Sequence, residues 1–165
     1  MMITLTGFMG SGKTTVGKVL ADFLGCPFMD LDELIVKKAG KSIPEIFAQD
    51  GEPAFRELEA RLLRQTVEKY AESTAVLALG GGAILAPASA ALLRDKTVCI
   101  YLRATLDTLL SRLAGETAGR PLADSALAAR LASREPLYEE TAHVAIDTDG
   151  LSPDEVADEI IISAL

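Results

Sequence analysis

Residues 7 to 14 read Gly-Phe-Met-Gly-Ser-Gly-Lys-Thr and match the phosphate-binding pattern G-x-x-x-x-G-K-[ST]. The residue types suit one task, holding the β- and γ-phosphates of a nucleoside triphosphate. Gly7, Gly10 and Gly12 permit positive φ and leave room for phosphate oxygens near the backbone. The consecutive N–H groups of Gly10, Ser11, Gly12, Lys13, Thr14 and Thr15 then converge on the anion, at the positive end of a helix that starts near Lys13. Lys13 places a point charge on the β/γ oxygens, and the Thr14 hydroxyl is a hard ligand for Mg²⁺. The motif alone does not separate a kinase from a hydrolase or a switch.

Phosphoryl transfer also needs a second hard-oxygen anchor for the metal and a group that orients the nucleophile. The third apolar run ends in Gly80-Gly81-Gly82 and the fourth in Arg103, so neither supplies an acid at its end. The second ends Phe28-Met29-Asp30-Leu31-Asp32, and strand alternation would point both carboxylates the same way. Asp30 is therefore expected to act toward Mg²⁺ through water, and Asp32 to contact the acceptor hydroxyl. The competing reading is that Asp32 caps a helix over 33–39. The glycines at 80–82 let backbone N–H donors approach a ligand closely, or serve a tight strand-to-loop turn.

These residues need an alternating α/β scaffold to position them. Apolar runs at Met2–Thr6, Pro27–Asp30, Ala75–Leu79, Thr97–Leu102 and His143–Ile146 predict five strands with helical patterns between them. The first run, the glycine loop and the helical pattern up to Gly25 give the strand–loop–helix order that the motif requires. Ser42-Ile43-Pro44-Glu45 and Ser152-Pro153-Asp154-Glu155 predict capping boxes, and Pro53 and Pro87 two further helix starts. Two insertions interrupt the alternation: helical sequence over about 31–70, read as an acceptor-binding region, and a Gly/Ala/Thr-rich stretch over about 114–126, read as a lid. Asp147 and Asp149 are read as turn residues.

Size and composition fit one domain over 1–165, since 49% of the residues are hydrophobic. A net charge of −8 argues against a nucleic-acid partner. No run of about 20 apolar residues predicts a membrane helix. Cys26 and Cys99 lie in apolar settings and are read as buried thiols of a cytoplasmic protein.

In order along the chain, the phosphate loop is joined by Asp30-Leu31-Asp32, Gly51-Glu52-Pro53-Ala54-Phe55-Arg56, Gly80-Gly81-Gly82, Arg120-Pro121-Leu122 and Arg134-Glu135-Pro136-Leu137-Tyr138. This ordered set resembles the shikimate kinase family over nearly the whole chain. The resemblance implies a three-layer P-loop fold with a five-stranded parallel sheet in the order 2-3-1-4-5, a helical acceptor-binding insertion and a lid. It implies ATP-dependent phosphorylation of the 3-hydroxyl of shikimate, with Mg²⁺, on the route to chorismate and the aromatic amino acids. By the same resemblance Asp32 binds the acceptor hydroxyls and serves as base or orienter. Arg56 and Arg134 pair with the shikimate carboxylate, and Gly80, Gly81 and Gly82 line that pocket. Lid residue Arg120 reaches the phosphates, and Arg112 and Pro153 flank adenine. A small-molecule substrate and a monomer are expected, with neither nucleic acid nor membrane as partner.

Two guanidinium forks on one carboxylate would fix the register of a hydroxylated ring. Blander roles stand beside these. Arg56 could form a surface pair with Glu59, Arg134 could pair with Glu139 or Glu140, and Arg120 could be a solvated loop charge. Phe47 and Phe55 fit either core or pocket wall. The rival readings are a gluconate or nucleoside monophosphate kinase, and a non-enzymatic nucleotide switch.

Overall fold

In the computed structural model, residues 1–116 and 124–165 are described. Five strands, β1 (Met2–Thr6), β2 (Phe28–Asp30), β3 (Ala75–Ala78), β4 (Val98–Arg103) and β5 (Val144–Asp147), form one parallel sheet in the order β2-β3-β1-β4-β5. The sequence placed all five strands, with boundaries off by one residue at most. The helices are α1 (Lys13–Leu24), α2 (Leu31–Ala39), α3 (Ile43–Asp50), α4 (Glu52–Lys69), α5 (Pro87–Lys96), α6 (Leu106–Glu116), α7 (Asp124–Thr141) and α8 (Pro153–Ala164).

Alternating side chains sort the strands into two faces. Ile3, Leu5, Val76, Ile100 and Leu102 pack with α1 and α8 through Val16, Leu20, Val156 and Ile160. Met2, Leu77, Cys99 and Tyr101 face the other layer, where α2, α4, α5 and α7 contribute Ile35, Leu63, Leu93 and Tyr138. Because both faces are covered, the inner strands β1 and β3 are buried on both sides and read as continuous apolar runs, whereas the edge strands β2 and β5 are only partly buried. The helix starts follow the caps read in the sequence: Ser42 and Ser152 form complete capping boxes, and Pro53 and Pro87 stand in first turns.

The second helix corrects one expectation. Its N-cap is Asp30, not Asp32: Asp30 Oδ1 accepts from the N–H of Asp32 at 2.9 Å and of Glu33 at 3.3 Å. The strand ends at Asp30, so Asp32 sits in the first turn of α2 and strand alternation is not what relates the two carboxylates. Cys26 is only partly buried, whereas Cys99 is fully so. No helix among the described residues is long and apolar enough to cross a membrane.

Candidate active site

The phosphate loop leaves β1 and enters α1 through Gly7, Gly10 and Gly12, at φ 150°, 81° and 92°. A Cβ on Gly7 would lie 2.7 Å from the Leu102 carbonyl and 2.8 Å from Ser11 Oγ, so the loop closes only around glycine there. Lys13 Nζ donates to the carbonyls of Gly7 at 2.8 Å and Phe8 at 2.9 Å. Enclosure by the loop lowers its pKa to about 8, against the pull of Asp32 and Asp30.

Asp30 is held from two sides. One oxygen caps α2, and the other accepts from Thr14 Oγ1 at 2.8 Å. A hydroxyl and a carboxylate oxygen side by side at the loop are hard donors of the kind Mg²⁺ takes. The residues thus fit the metal expected of them, although no group of three metal-ligating side chains occurs among the described residues.

On one side of the loop lies a cleft of about 350 Å³, bounded by Gly10, Ser11, Gly12, Thr15, Arg112, Thr148 and Pro153. The sequence had placed Arg112 and Pro153 together, and they do share this cleft. Arg112 donates to the Gly10 carbonyl at 3.2 Å and reaches the Thr148 carbonyl and hydroxyl at 3.4 Å. Thr148, fully buried and bound to the Arg103 carbonyl, was not singled out from sequence.

A second cavity, of about 370 Å³, brings together Asp32, Arg56, Glu59, Gly80, Gly81, Gly82, Arg130 and Arg134, with Phe47 and Phe55 as walls. Phe55 belongs to the core as well, and its ring lies 4.8 Å from that of the exposed Phe47. The triple glycine explains itself here by room rather than by turn geometry, since none of the three has positive φ. A Cβ on Gly80 would stand 2.9 Å from Asp32 Oδ1, one on Gly81 3.4 Å from Arg134 Nη1, and one on Gly82 2.6 Å from both terminal nitrogens of Arg56. Gly80 thus leaves room for the Asp32 and Glu59 carboxylates and Gly82 for the Arg56 guanidinium, whereas a methyl group on Gly81 would only reach ordinary contact with Arg134.

Arg56 does pair with Glu59, at 2.9 Å, but not as a surface pair: Glu59 is 4% exposed. Arg56 Nε is buried without a hydrogen bond, 3.5 Å from a carboxylate oxygen of exposed Glu52. Arg134 takes neither Glu139 nor Glu140; its guanidinium lies 5.9 Å over the Phe8 ring, and Glu139 instead approaches Arg103. Asp147 is the last residue of β5 and is paired with Arg103 at 2.6 Å, while Asp149 does sit in the turn and accepts from Thr105. Burial, then Asp30, pushes the Asp32 pKa up, against Lys13 and Arg56. Burial likewise raises that of Glu59. An acid with a raised pKa beside the loop lysine is suited to take a proton from an acceptor hydroxyl.

Sequence reading overlooked Arg130 and reduced Glu59 to a surface partner. The signal for Arg130 was its spacing, one helical turn before Arg134 on the same face. Arg120 and the surrounding 117–123 lie outside the described residues.

Comparison with known proteins agrees with this geometry. A family model described as shikimate kinase matches residues 9–164. The chain is 48% identical over 163 residues to the shikimate kinase of Geobacter sulfurreducens, covering 96% of this chain and 87% of that protein. It is 43% identical over 164 residues to that of Enterococcus faecalis, covering 96% and 95%. Among solved structures, shikimate kinase from Acinetobacter baumannii in complex with shikimate superposes with a TM-score of 0.87 at 36% identity, covering 97% of this chain and 90% of that one. A likeness of this extent reaches the acceptor cavity as well as the phosphate loop, and the chain belongs to the shikimate kinase family.

Proposed function

We propose that the chain transfers the γ-phosphoryl group of ATP to the 3-hydroxyl of shikimate, giving shikimate 3-phosphate and ADP. The observation that carries this reading is the cavity that gathers Arg56, Arg134 and Asp32 at the triple glycine, within electrostatic reach of Lys13. A carboxylate with several hydroxyls meets there the groups it needs: two guanidinium forks, one acid with a raised pKa, and a backbone stripped of side chains.

The donor binds along the loop from Gly10 to Thr15, its base in the cleft between Arg112 and Pro153. Lys13, now bonded to its own loop, turns its charge onto the phosphates. Thr14 and Asp30 would hold Mg²⁺, which would supply charge stabilisation on the transferred group. Arg56 and Arg134 seat the acceptor carboxylate and thereby aim its hydroxyl. The hydroxyl oxygen bonds to the γ-phosphorus as the bond to the β–γ bridging oxygen breaks, and the released proton passes to Asp32. Positioning and charge carry the catalysis, since the transition state has little covalent work for the protein. Arg120, on the lid read over 114–126, would add positive charge there. We read the chain as one domain with its acceptor-binding insertion over about 31–70, as a cytoplasmic protein, and as a monomer because a single chain supplies both sides of the described site.

The test is ADP release from ATP and Mg²⁺ with shikimate, beside gluconate and AMP. Release that depends on shikimate alone supports the reading. Release driven by gluconate or AMP would replace it.

A further inference from the structure

Tyr138 lies wholly inside the molecule, and its hydroxyl donates to the Gly81 carbonyl at 2.6 Å. The point a Gly81 Cβ would occupy is 3.4 Å from Arg134 Nη1, 3.6 Å from the Tyr138 hydroxyl and 3.6 Å from the Gly7 carbonyl. Phenol, guanidinium and phosphate-loop backbone therefore meet over one glycine. Having donated its hydrogen bond to Gly81, the phenol oxygen offers only lone pairs, and the guanidinium that lies over the same glycine has only donors. Arg134 and Tyr138 are four residues apart on α7 and share a face. Between them stands Pro136, which has no N–H and removes a rung of the helix ladder. The Tyr138 ring is fixed in turn by Tyr101, with centroids 5.0 Å apart.

We propose that Tyr138 is a positioning residue: its hydroxyl locks Arg134 to the glycine loop and so sets where the acceptor carboxylate seats. The proposal rests on the reading of this cavity as the shikimate site. It gives Tyr138 a task distinct from filling the core, because the ring alone would fill the same space.

Tyr138→Phe removes the hydroxyl and keeps the ring. In the full chain, the KM for shikimate should rise about tenfold, the weight of one directed hydrogen bond, with the KM for ATP within about twofold. In an Arg134→Ala background the same change should cost less than about twofold, because the residue it positions is gone. The proposal is overturned if the shikimate KM of Tyr138→Phe stays within about twofold of the parent, or if the loss persists undiminished without Arg134. Parent protein that turns over no shikimate would sink the acceptor assignment, and the proposal with it. A measurement on the unaltered protein covers the case of a variant that does not fold. Nitrogen-15 NMR should show the Arg134 guanidinium rotating more slowly than exposed guanidinium groups, and free rotation would contradict the lock.

Discussion

Gly82→Ala offers a clean probe of the acceptor cavity, because the three atoms nearest the new methyl group all belong to one functional side chain. Its Cβ would lie 2.6 Å from both Nη atoms of Arg56 and 2.8 Å from Cζ. Ordinary contact begins near 3.4 Å, so the guanidinium must retreat by about 0.8 Å, the difference of those two distances. The obstacle is the far end of a flexible chain, and Gly82 has φ −105° and ψ 6°, which alanine adopts without strain. The fold should survive, with a melting temperature within a few degrees of the parent's, since the lower entropy of the unfolded chain is offset by loosening of the Arg56–Glu59 pair. The damage falls on recognition. A displacement near 1 Å typically costs about 100-fold, and a charge-assisted hydrogen bond is worth about 1.5–3 kcal/mol, so kcat/KM for shikimate should fall about 10- to 100-fold. The KM for ATP should stay within about twofold, as the nucleotide cleft is built from other residues. Steady-state kinetics in both substrates, with thermal melting as the fold control, reads all three quantities. The refuting result comes from a double-mutant cycle: if Gly82→Ala costs as much in an Arg56→Ala background as in the parent, displacement of Arg56 is not the cause.

Three further outcomes follow from the same geometry. Asp32→Asn should abolish turnover yet raise the melting temperature at neutral pH. A carboxylate whose pKa is raised by burial and Asp30 disfavours the folded state once ionised, so its stabilising contribution is whole at low pH and lost as pH rises through the folded pKa. The gain of the variant should therefore vanish toward about pH 4, and a variant that is less stable at neutral pH would contradict the electrostatic assignment. Lys13, lowered from 10.5 to about 8, costs stability in full below about pH 8, and the cost is relieved as pH rises toward 10.5. Nucleotide phosphates should restore its proton, so ADP binding near pH 8 should take up about half a proton, seen by calorimetry in buffers of different ionisation enthalpy; no uptake would refute this. Arg130→Gln should raise the KM for shikimate a few-fold and flatten its salt dependence. The cavity's Arg56 and Arg134 are offset by Asp32 and Glu59, and Arg130 supplies the surplus positive charge; an unchanged salt slope would leave it a solvated charge.

The scaffold was legible in the sequence because each element carried its own signal: five apolar runs, two capping boxes, and glycine at Gly25 to end α1. The phosphate loop was legible because its function lies in consecutive residues. The acceptor cavity was harder to read, since its charges meet only in three dimensions. Asp30 illustrates the difficulty. Its carboxylate serves helix cap and Thr14 partner together, one oxygen for each, whereas the sequence offered a cap only at Asp32, as the alternative to its contact with the acceptor. Glu59 looked like any helix-surface acid until burial showed that it faces the cavity. Gly80, Gly81 and Gly82 were read as pocket lining, but the side chains that need the space of Gly80 and Gly82 come from α2 and α4 and could not be named from the run itself.

The most direct measurement is identification of the product by phosphorus and proton NMR after incubation with ATP, Mg²⁺ and shikimate. We expect one ADP for each shikimate consumed, with the new phosphate coupled to the proton on carbon 3. ADP formed without a phosphorylated acceptor, or phosphate at another hydroxyl, would contradict the assignment of Asp32, Arg56 and Arg134 as the groups that hold and aim the acceptor.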